Sequence, residues 1–362
     1  MNALKPRPGI LEIEPYKPGE SDVAGVARVI KLSSNESPLG PSPRAIAALQ
    51  ASAKEQHLYP DGTCAAIRTA LGRHHGLDPA RIVCGAGSDE LISLIARAYA
   101  GPGDEVLYSE YGFLMYPIST HGVGATPVAA AEKGLKTDVD ALLAKLGKRT
   151  RIVFLANPNN PTGSYLAKDE VARLVEGLPR DVLLVIDAAY AEYVARNDYS
   201  AGAELVTAHD NVVMTRTFSK IYGLAGLRFG WAYCPPAVAD ALNRLRNPFN
   251  VTALAQTAAL AALDDIAHVD AARTSNDIWL PWVTAELERI GLAVAPSVGN
   301  FVLVRFPEGK RNADAANDFL ARHGIIPRKM GAYKLPHSLR ITVGTEEDMR
   351  FLVSTLAEFM GA

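Results

Sequence analysis

A lysine and an arginine stand in an unusually apolar, glycine-rich segment of this chain. The segment TFSKIYGLAGLRFGW runs from Thr217 to Trp231, with Lys220 directly after Ser219 and Arg228 eight residues further on. A lysine that acts as a nucleophile must lose its proton, although its ordinary pKa is about 10.4. Burial among apolar side chains and a nearby cation both lower a lysine pKa. The segment offers both, so Lys220 is a candidate amine for carbonyl chemistry; a solvated surface lysine is the alternative.

A turn that could bind phosphate is the second candidate. The apolar run RIVCG leads into AGSDELISLIARAYA, which places Ala86, Gly87 and Ser88 between a strand and the start of a helix. Backbone N–H groups and the positive end of the helix dipole favour a phosphate there. An ordinary turn capped by Ser88 or Asp89 explains the same residues. Neither the three-glycine dinucleotide fingerprint nor the Gly-Lys-Ser/Thr phosphate loop occurs at this point.

Two other apolar runs end in polar side chains. DVLLVID ends at Asp187, with Tyr190 three residues later, and RIVFLANPNNPTG brings Asn160 into a proline-rich loop. A carboxylate at the end of a buried strand needs a charged partner, and the protonated ring nitrogen of a ligand is one such partner. Capping of the next segment is the alternative for Asp187, and a plain turn is the alternative for the asparagine loop.

Taken together, these groups fit one ligand. Pyridoxal phosphate has a phosphate, a ring nitrogen, a ring hydroxyl and an aldehyde. The candidates supply a phosphate-binding turn, a carboxylate for the ring nitrogen, a phenol and an amide for the hydroxyl, and an amine for the aldehyde. In such enzymes the cofactor is the electron sink, and the protein orients and tunes it. Ligands of open parallel sheets bind beyond the carboxyl ends of the strands, where these residues are expected.

The elements that must position these residues follow from the hydrophobic pattern. Strands are predicted for RIVCG, DEVLYS, RIVFLAN, DVLLVID, NVVMTRT and RFGWAYC, and helices for SDELISLIARAYA, KDEVARLVEGL and PPAVADALNRL. Strands that are apolar throughout and separated by helices indicate a mostly parallel sheet covered on both faces. Another helix is predicted to begin at Pro43, with Ser42 as its N-cap.

The chain is predicted to have three parts. Residues 1–40, rich in proline and glycine, predict an arm with a short strand near VARVIKLSS. Residues 41–250 predict a large α/β domain, and residues 251–362 predict a smaller α+β domain. The uncharged run between Arg246 and Asp264 predicts a buried helix, because its polar residues argue against a membrane span.

Composition excludes several classes of function. The chain has 362 residues, of which 48% are hydrophobic and 21% charged, and its net charge is -2. The lack of a basic run argues against a nucleic-acid partner. Three widely spaced cysteines predict neither a disulfide framework nor a metal site, and the first residues lack the apolar stretch of a signal peptide. We therefore expect a cytoplasmic protein that acts on small molecules.

The ordered motifs resemble the fold-type I aminotransferases and, within them, the histidinol-phosphate aminotransferase family. The resemblance covers nearly the whole chain and rests on EPYKPGE, KLSSNESPLGPSP, LYPDG, GAGSDE, ANPNNPTG, DAAYAEY, TFSKIYGLAGLRFGW, GIIPRKM and LRITVG. It implies pyridoxal-phosphate-dependent transamination in histidine biosynthesis, from L-histidinol phosphate and 2-oxoglutarate to imidazole-acetol phosphate and L-glutamate. The alternatives are an aromatic aminotransferase of broad specificity and a decarboxylase or racemase with the same cofactor. A silent binding domain has no need of Lys220, and the missing glycine fingerprint argues against a nicotinamide dehydrogenase.

The resemblance also implies roles for individual residues around the cofactor. Lys220 would form its covalent link, Asp187 would contact the pyridine nitrogen, and Tyr190 with Asn160 would contact the ring oxygen. Tyr111 falls where the family stacks an aromatic ring on the cofactor, and Tyr116 is a second possibility. The phosphate would contact Ala86, Gly87, Ser88, Ser219, Arg228 and, from the neighbouring subunit of a homodimer, Tyr59.

Substrate contacts are implied for Tyr16, Asn35, Arg328 and Arg340. Arg340 lies in the apolar run LRITVG, where a buried guanidinium needs an anionic partner. Departures from the family's usual motifs occur at Ser37, Ala86 and Ala188. They bear on the choice of substrate more than on the cofactor.

Overall fold

The computed structural model of the protein describes residues 4–20, 25–26 and 28–362. Residues 1–3, 21–24 and 27 of the predicted arm lie outside the described part. Of the helices described, none combines the length and the apolar character needed to cross a membrane.

The predicted strands and helices are present in the predicted order, together with further elements that were not predicted. In chain order the strands are β1 (Ile30–Lys31), β2 (Ile82–Gly85), β3 (Glu105–Ser109), β4 (Thr126–Ala130), β5 (Glu132–Lys133), β6 (Lys136–Thr137), β7 (Thr150–Ala156), β8 (Leu183–Asp187), β9 (Val212–Thr217), β10 (Gly230–Tyr233), β11 (Ala293–Ala295), β12 (Phe301–Arg305), β13 (Ile325–Ile326), β14 (Arg328–Lys329) and β15 (Ser338–Thr342). The α-helices are α1 (Pro43–Ser52), α2 (Ala65–His75), α3 (Ser88–Tyr99), α4 (Met115–Gly122), α5 (Val139–Lys145), α6 (Lys168–Gly177), α7 (Ala203–Ala208), α8 (Pro236–Leu245), α9 (Ala253–Leu263), α10 (Ile266–Arg289), α11 (Ala313–Arg322) and α12 (Glu346–Met360).

A large sheet of seven strands carries the ends at which polar residues were predicted. Its strand order is β2-β10-β9-β8-β7-β3-β4. Strand β10 runs antiparallel to β2 and β9, and the other neighbours are parallel. Alternate residues of one strand face opposite sides: Leu184 and Ile186 pack in one apolar cluster, Leu183 and Val185 in another. The predicted mostly parallel sheet with both faces covered is therefore confirmed.

A smaller antiparallel sheet, in the order β11-β12-β15-β14, forms beside the large one. It packs on a separate apolar cluster with α11 and α12. Helix α10 joins the two cores, because Ala272 packs in the first cluster whereas Val283 and Leu287 pack in the second. Strand β1 pairs in parallel with β13, and the N–H of Thr342 donates to the carbonyl of Leu32. The segment around residue 30 is thus attached to this smaller unit.

Two local predictions concern helices. Helix α1 begins at Pro43, and the Ser42 hydroxyl accepts from the N–H of Ala45 at 3.1 Å. The predicted N-cap is therefore confirmed. The uncharged run forms α9, in which Ala258 and Ala259 are buried, so the prediction of a buried helix is also confirmed.

Candidate active site

A cavity of about 260 Å³ opens at the carboxyl ends of β7, β8 and β9. The last residues of these strands, Ala156, Asp187 and Thr217, all line it. Its walls also contain residues of the smaller sheet. The predicted site residues that line the cavity are Tyr16, Ser88, Asn160, Asp187, Tyr190, Ser219, Lys220, Arg228, Arg328 and Arg340.

Asp187 is a buried charged group of the cavity and is only 5% exposed. The Tyr116 hydroxyl donates to its Oδ2 at 3.0 Å, and the Thr215 hydroxyl donates to its Oδ1 at 3.0 Å. Burial raises the pKa of Asp187 to about 6, while the two hydrogen bonds oppose that rise. A carboxylate in this position favours a positively charged partner.

Lys220 lies three residues beyond the end of β9 and reaches across to the N-terminal segment. Its Nζ donates to the carbonyl of Ser34 at 3.0 Å and lies 5.6 Å from the centre of the Tyr190 ring. Burial lowers the pKa of Lys220 to about 8, with further lowering by the cations of Arg340 and Arg228. An amine with that pKa is substantially neutral near pH 8 and is able to attack a carbonyl carbon.

The start of α3 and the Arg228 guanidinium form an anion-binding corner. Arg228 Nη1 donates to Ser219 Oγ at 3.2 Å, and Nη2 lies 3.3 Å from Asp89 Oδ2. Gly87 has a φ of 87°, and a Cβ on it would lie 2.4 Å from Arg228 Nη2. Glycine is favoured here because residues with a side chain rarely adopt so positive a φ. Ser88, the first residue of α3, adds the positive end of a helix dipole.

Three predicted phosphate contacts, Ala86, Gly87 and Tyr59, lie outside the cavity lining. The N–H of Ala86 donates to Glu90 Oε2 at 2.6 Å, so it is already used within the chain. Tyr59 is 83% exposed and stacks on Phe249, with ring centres 4.6 Å apart. Tyr59 therefore contributes nothing to the cavity of its own chain.

The aromatic residues of the stretch EYGFLMY have three different environments. Phe113 lines the cavity, whereas Tyr111 does not. Tyr116 is fully buried and stacks on Phe154 at 4.7 Å, where its hydroxyl reaches Asp187. The sequence reasoning missed Phe113, although its position between two tyrosines of the same stretch was a usable signal.

Asn35 also stands behind the cavity wall. It is 1% exposed, and its Nδ2 donates to the Tyr190 hydroxyl at 2.8 Å. Its backbone carbonyl accepts from Asn300 Nδ2 at 3.0 Å. Asn35 therefore acts on the cavity through Tyr190, and the structure gives it no place on the lining.

Two arginines of the smaller sheet face each other across neighbouring strands. Arg328 on β14 is the register partner of Arg340 on β15, and both line the cavity. Arg340 is 5% exposed; its Nη1 donates to Asn160 Oδ1 and its Nη2 to the carbonyl of Ser33 at 2.7 Å. Arg328 stands 5.6 Å from the centre of the Tyr16 ring. Within the described residues, neither guanidinium pairs with a carboxylate.

The donor set fits pyridoxal phosphate. A buried carboxylate at the end of β8 suits the ring nitrogen, an amine of lowered pKa suits the aldehyde, and the glycine-limited corner beside Arg228 suits the phosphate.

Comparisons with known proteins show the family to which the chain belongs. The model of the aminotransferase class I and II family matches residues 27–356. The histidinol-phosphate aminotransferase of Paramagnetospirillum magneticum is 59% identical over all of both chains, and that of Rhodospirillum centenum is 57% identical over 99% of each. The crystal structure of the Sinorhizobium meliloti histidinol-phosphate aminotransferase in complex with pyridoxal 5'-phosphate superposes with a TM-score of 0.87. Its sequence is 32% identical, and the match covers 94% of this chain and 91% of that one.

The fold and the site together define a fold-type I aminotransferase whose cofactor is pyridoxal phosphate. Within that class, the chain belongs to the histidinol-phosphate aminotransferase family.

Proposed function

We propose that the enzyme transfers the amino group of L-histidinol phosphate to 2-oxoglutarate, producing imidazole-acetol phosphate and L-glutamate. The observation that carries this choice is the pair Arg328 and Arg340, two cavity-lining guanidiniums on adjacent strands. Arginine's planar fork suits both phosphate and carboxylate. The names of the full-length relatives point to the same substrate.

The residues that would hold the cofactor follow from the geometry of the cavity. Asp187 would contact the ring nitrogen, and Tyr190 with Asn160 would contact the ring oxygen. Ser88, Ser219 and Arg228 would contact the phosphate, since all three line the cavity. Phe113 lines the cavity, and we therefore assign the ring-stacking position to it rather than to Tyr111.

The chemistry divides between cofactor and protein. When bound, pyridoxal phosphate supplies an electron sink for the negative charge that develops at the substrate carbon. Lys220 Nζ would be the base that removes the proton from the substrate Cα, since its lowered pKa suits proton transfer near neutrality. Asp187 would supply the negative charge that stabilises positive charge at the ring nitrogen of the bound cofactor.

Substrate binding is assigned to the smaller sheet and the N-terminal segment. Arg340 would bind the phosphate of histidinol phosphate and, in the other half-reaction, a carboxylate of glutamate, because its guanidinium lines the cavity and pairs with no carboxylate in the described part of the chain. Arg328 would bind the phosphate of histidinol phosphate or the distal carboxylate of glutamate. Tyr16, which lies beneath the Arg328 guanidinium, would enclose the same end of the substrate.

We also propose a homodimer, in which Tyr59 serves the cofactor phosphate of the other subunit. The exposed Tyr59–Phe249 stack supports this assignment, because it is an apolar feature with no partner in the cavity of its own chain. A cytoplasmic location and the three-part division at residues 40 and 250 stay predictions from the sequence.

The test is a side-by-side measurement of kcat/KM. Imidazole-acetol phosphate and phenylpyruvate would be compared as amino acceptors with L-glutamate as the donor. We expect a clear preference for the phosphate substrate. Equal or better use of phenylpyruvate would replace the proposal with an aromatic aminotransferase. Release of carbon dioxide from an amino-acid phosphate, which unlike histidinol phosphate carries a carboxylate, would identify a decarboxylase.

A further inference from the structure

Asp187 receives one hydroxyl donor on each of its two oxygens. Tyr116, from α4, donates to Oδ2 at 3.0 Å, and Thr215, from β9, donates to Oδ1 at 3.0 Å. Thr215 is the register partner of Asp187 across β8 and β9, so the strand pairing itself fixes this contact. Both donors are fully buried. The carboxylate is therefore held in one orientation by two separate elements.

These donors stabilise the charged form of Asp187. A hydroxyl that donates to a carboxylate favours the ionised state, whereas burial favours the neutral acid. The Tyr116 and Thr215 hydrogen bonds lower the pKa of Asp187 against the larger effect of burial. Without them, the pKa of Asp187 would be higher, and the carboxylate would compete more strongly with a basic ring nitrogen for the proton.

We propose that Tyr116 and Thr215 are positioning residues that hold Asp187 as an oriented carboxylate and thereby keep the proton on the ring nitrogen of the bound cofactor. This inference rests on the proposed role of Asp187. Neither hydroxyl touches the reacting atoms; each acts through the carboxylate between it and the ring.

The surroundings of Tyr116 make its hydroxyl easy to remove cleanly. Its ring stacks on Phe154 with an interplanar angle of 2° and packs edge-on against Phe113 at 5.9 Å. A phenylalanine at position 116 keeps these ring contacts and loses only the donor. Thr215→Val removes the second donor with little change of shape.

The experiment uses the holoenzyme reconstituted with pyridoxal phosphate labelled at the ring nitrogen. Nitrogen NMR at one fixed pH reports whether that nitrogen carries a proton. The variants are Tyr116→Phe, Thr215→Val and Asp187→Asn, and cofactor affinity is measured for each. Tyr165→Phe is the matched control, because Tyr165 donates to the Asp198 carboxylate at 3.0 Å outside the cavity.

We expect Tyr116→Phe to move the ring-nitrogen signal from the protonated position toward the unprotonated one. Thr215→Val should move the signal in the same direction. Asp187→Asn should give the signal of a ring nitrogen without a proton. A lost charge-assisted hydrogen bond would lower kcat by roughly tenfold in each single variant, with a smaller change in cofactor affinity. Tyr165→Phe should change neither quantity.

Three outcomes separate the possibilities. An unshifted signal in both hydroxyl variants, with a shifted signal in Asp187→Asn, overturns the inference and leaves the role of Asp187 intact. An unshifted signal in Asp187→Asn overturns that role itself. If Tyr116→Phe does not fold, Thr215→Val alone decides, since an unchanged signal there contradicts the inference.

Discussion

Replacing Asp187 with asparagine should stabilise the cofactor-free protein while it impairs catalysis. Burial raises the pKa of this carboxyl from 3.8 to about 6, so folding favours the neutral acid over the carboxylate relative to the unfolded state. A difference of about two pKa units corresponds to roughly 3 kcal/mol against folding once the group is ionised. Asparagine carries no charge and avoids this cost.

The gain is reduced by imperfect hydrogen bonding. The amide oxygen still accepts from one hydroxyl, but the amide nitrogen must meet the other, which has to rotate and accept. One weakened hydrogen bond costs about 1 kcal/mol. We therefore expect Asp187→Asn to raise the free energy of unfolding by about 2 kcal/mol at pH 8.

The sign of the pH dependence distinguishes this cause from better packing. A group whose folded pKa is raised loses stability as the pH rises from its unfolded pKa to its folded pKa. The advantage of Asp187→Asn should therefore be full above pH 6 or so and should shrink toward pH 4.

The assay is urea unfolding of the cofactor-free protein at pH 5 and pH 8, for the parent, Asp187→Asn and Asp198→Asn. Asp198 also accepts from a tyrosine hydroxyl but is exposed, so its variant should gain nothing. No gain for Asp187→Asn at pH 8, or an identical gain at both pH values, would refute the reasoning.

Three further predictions address the other residues of the site. The rate at which the cofactor-free protein takes up pyridoxal phosphate should rise with pH and level off above about 8, because only the neutral Lys220 amine reacts; a rate that is flat through this range in stopped-flow absorbance contradicts the lowered pKa. Provided that Tyr59→Phe lowers activity measurably, mixed dimers of Tyr59→Phe and Lys220→Ala subunits should have more activity per intact Lys220 than the Tyr59→Phe homodimer, and no recovery in isolated mixed dimers argues against a shared site. Arg340→Ala should lower kcat/KM for histidinol phosphate, glutamate and phenylalanine, whereas Arg328→Ala should spare phenylalanine, which has no second anion. An equal loss on all three substrates in Arg328→Ala rejects its selective role.

The location of site residues at the ends of strands could be predicted from the sequence. Asp187 and Lys220 lie at the same edge of the sheet because parallel strands end there, and the hydrophobic pattern reveals such strands. Local turn chemistry likewise revealed the Ser42 cap.

The hydrogen-bond partners of residues near the cavity were not predictable in the same way. Ala86, Asn35 and Tyr111 lie within two residues of the lining in sequence but do not line the cavity. The N–H groups of Ala86 and Tyr111 donate to Glu90 and Glu132, and the Asn35 amide donates to the Tyr190 hydroxyl. The partners, such as Glu90 for Ala86, are set by tertiary packing and by hydrogen-bond satisfaction of buried groups. The same holds for the Tyr116 hydroxyl, whose contact with Asp187 joins residues 71 positions apart.

The most direct test of the account is a single half-reaction with purified holoenzyme and L-histidinol phosphate. We predict that the yellow colour of the holoenzyme is lost and that one imidazole-acetol phosphate is released per active site, with the amino group left on the enzyme. Lys220→Ala, shown to be folded by circular dichroism, should release none at a comparable rate. Release of the keto product by Lys220→Ala at the parent rate, or no release by the parent enzyme, would contradict the assignment of Lys220 and of the reaction.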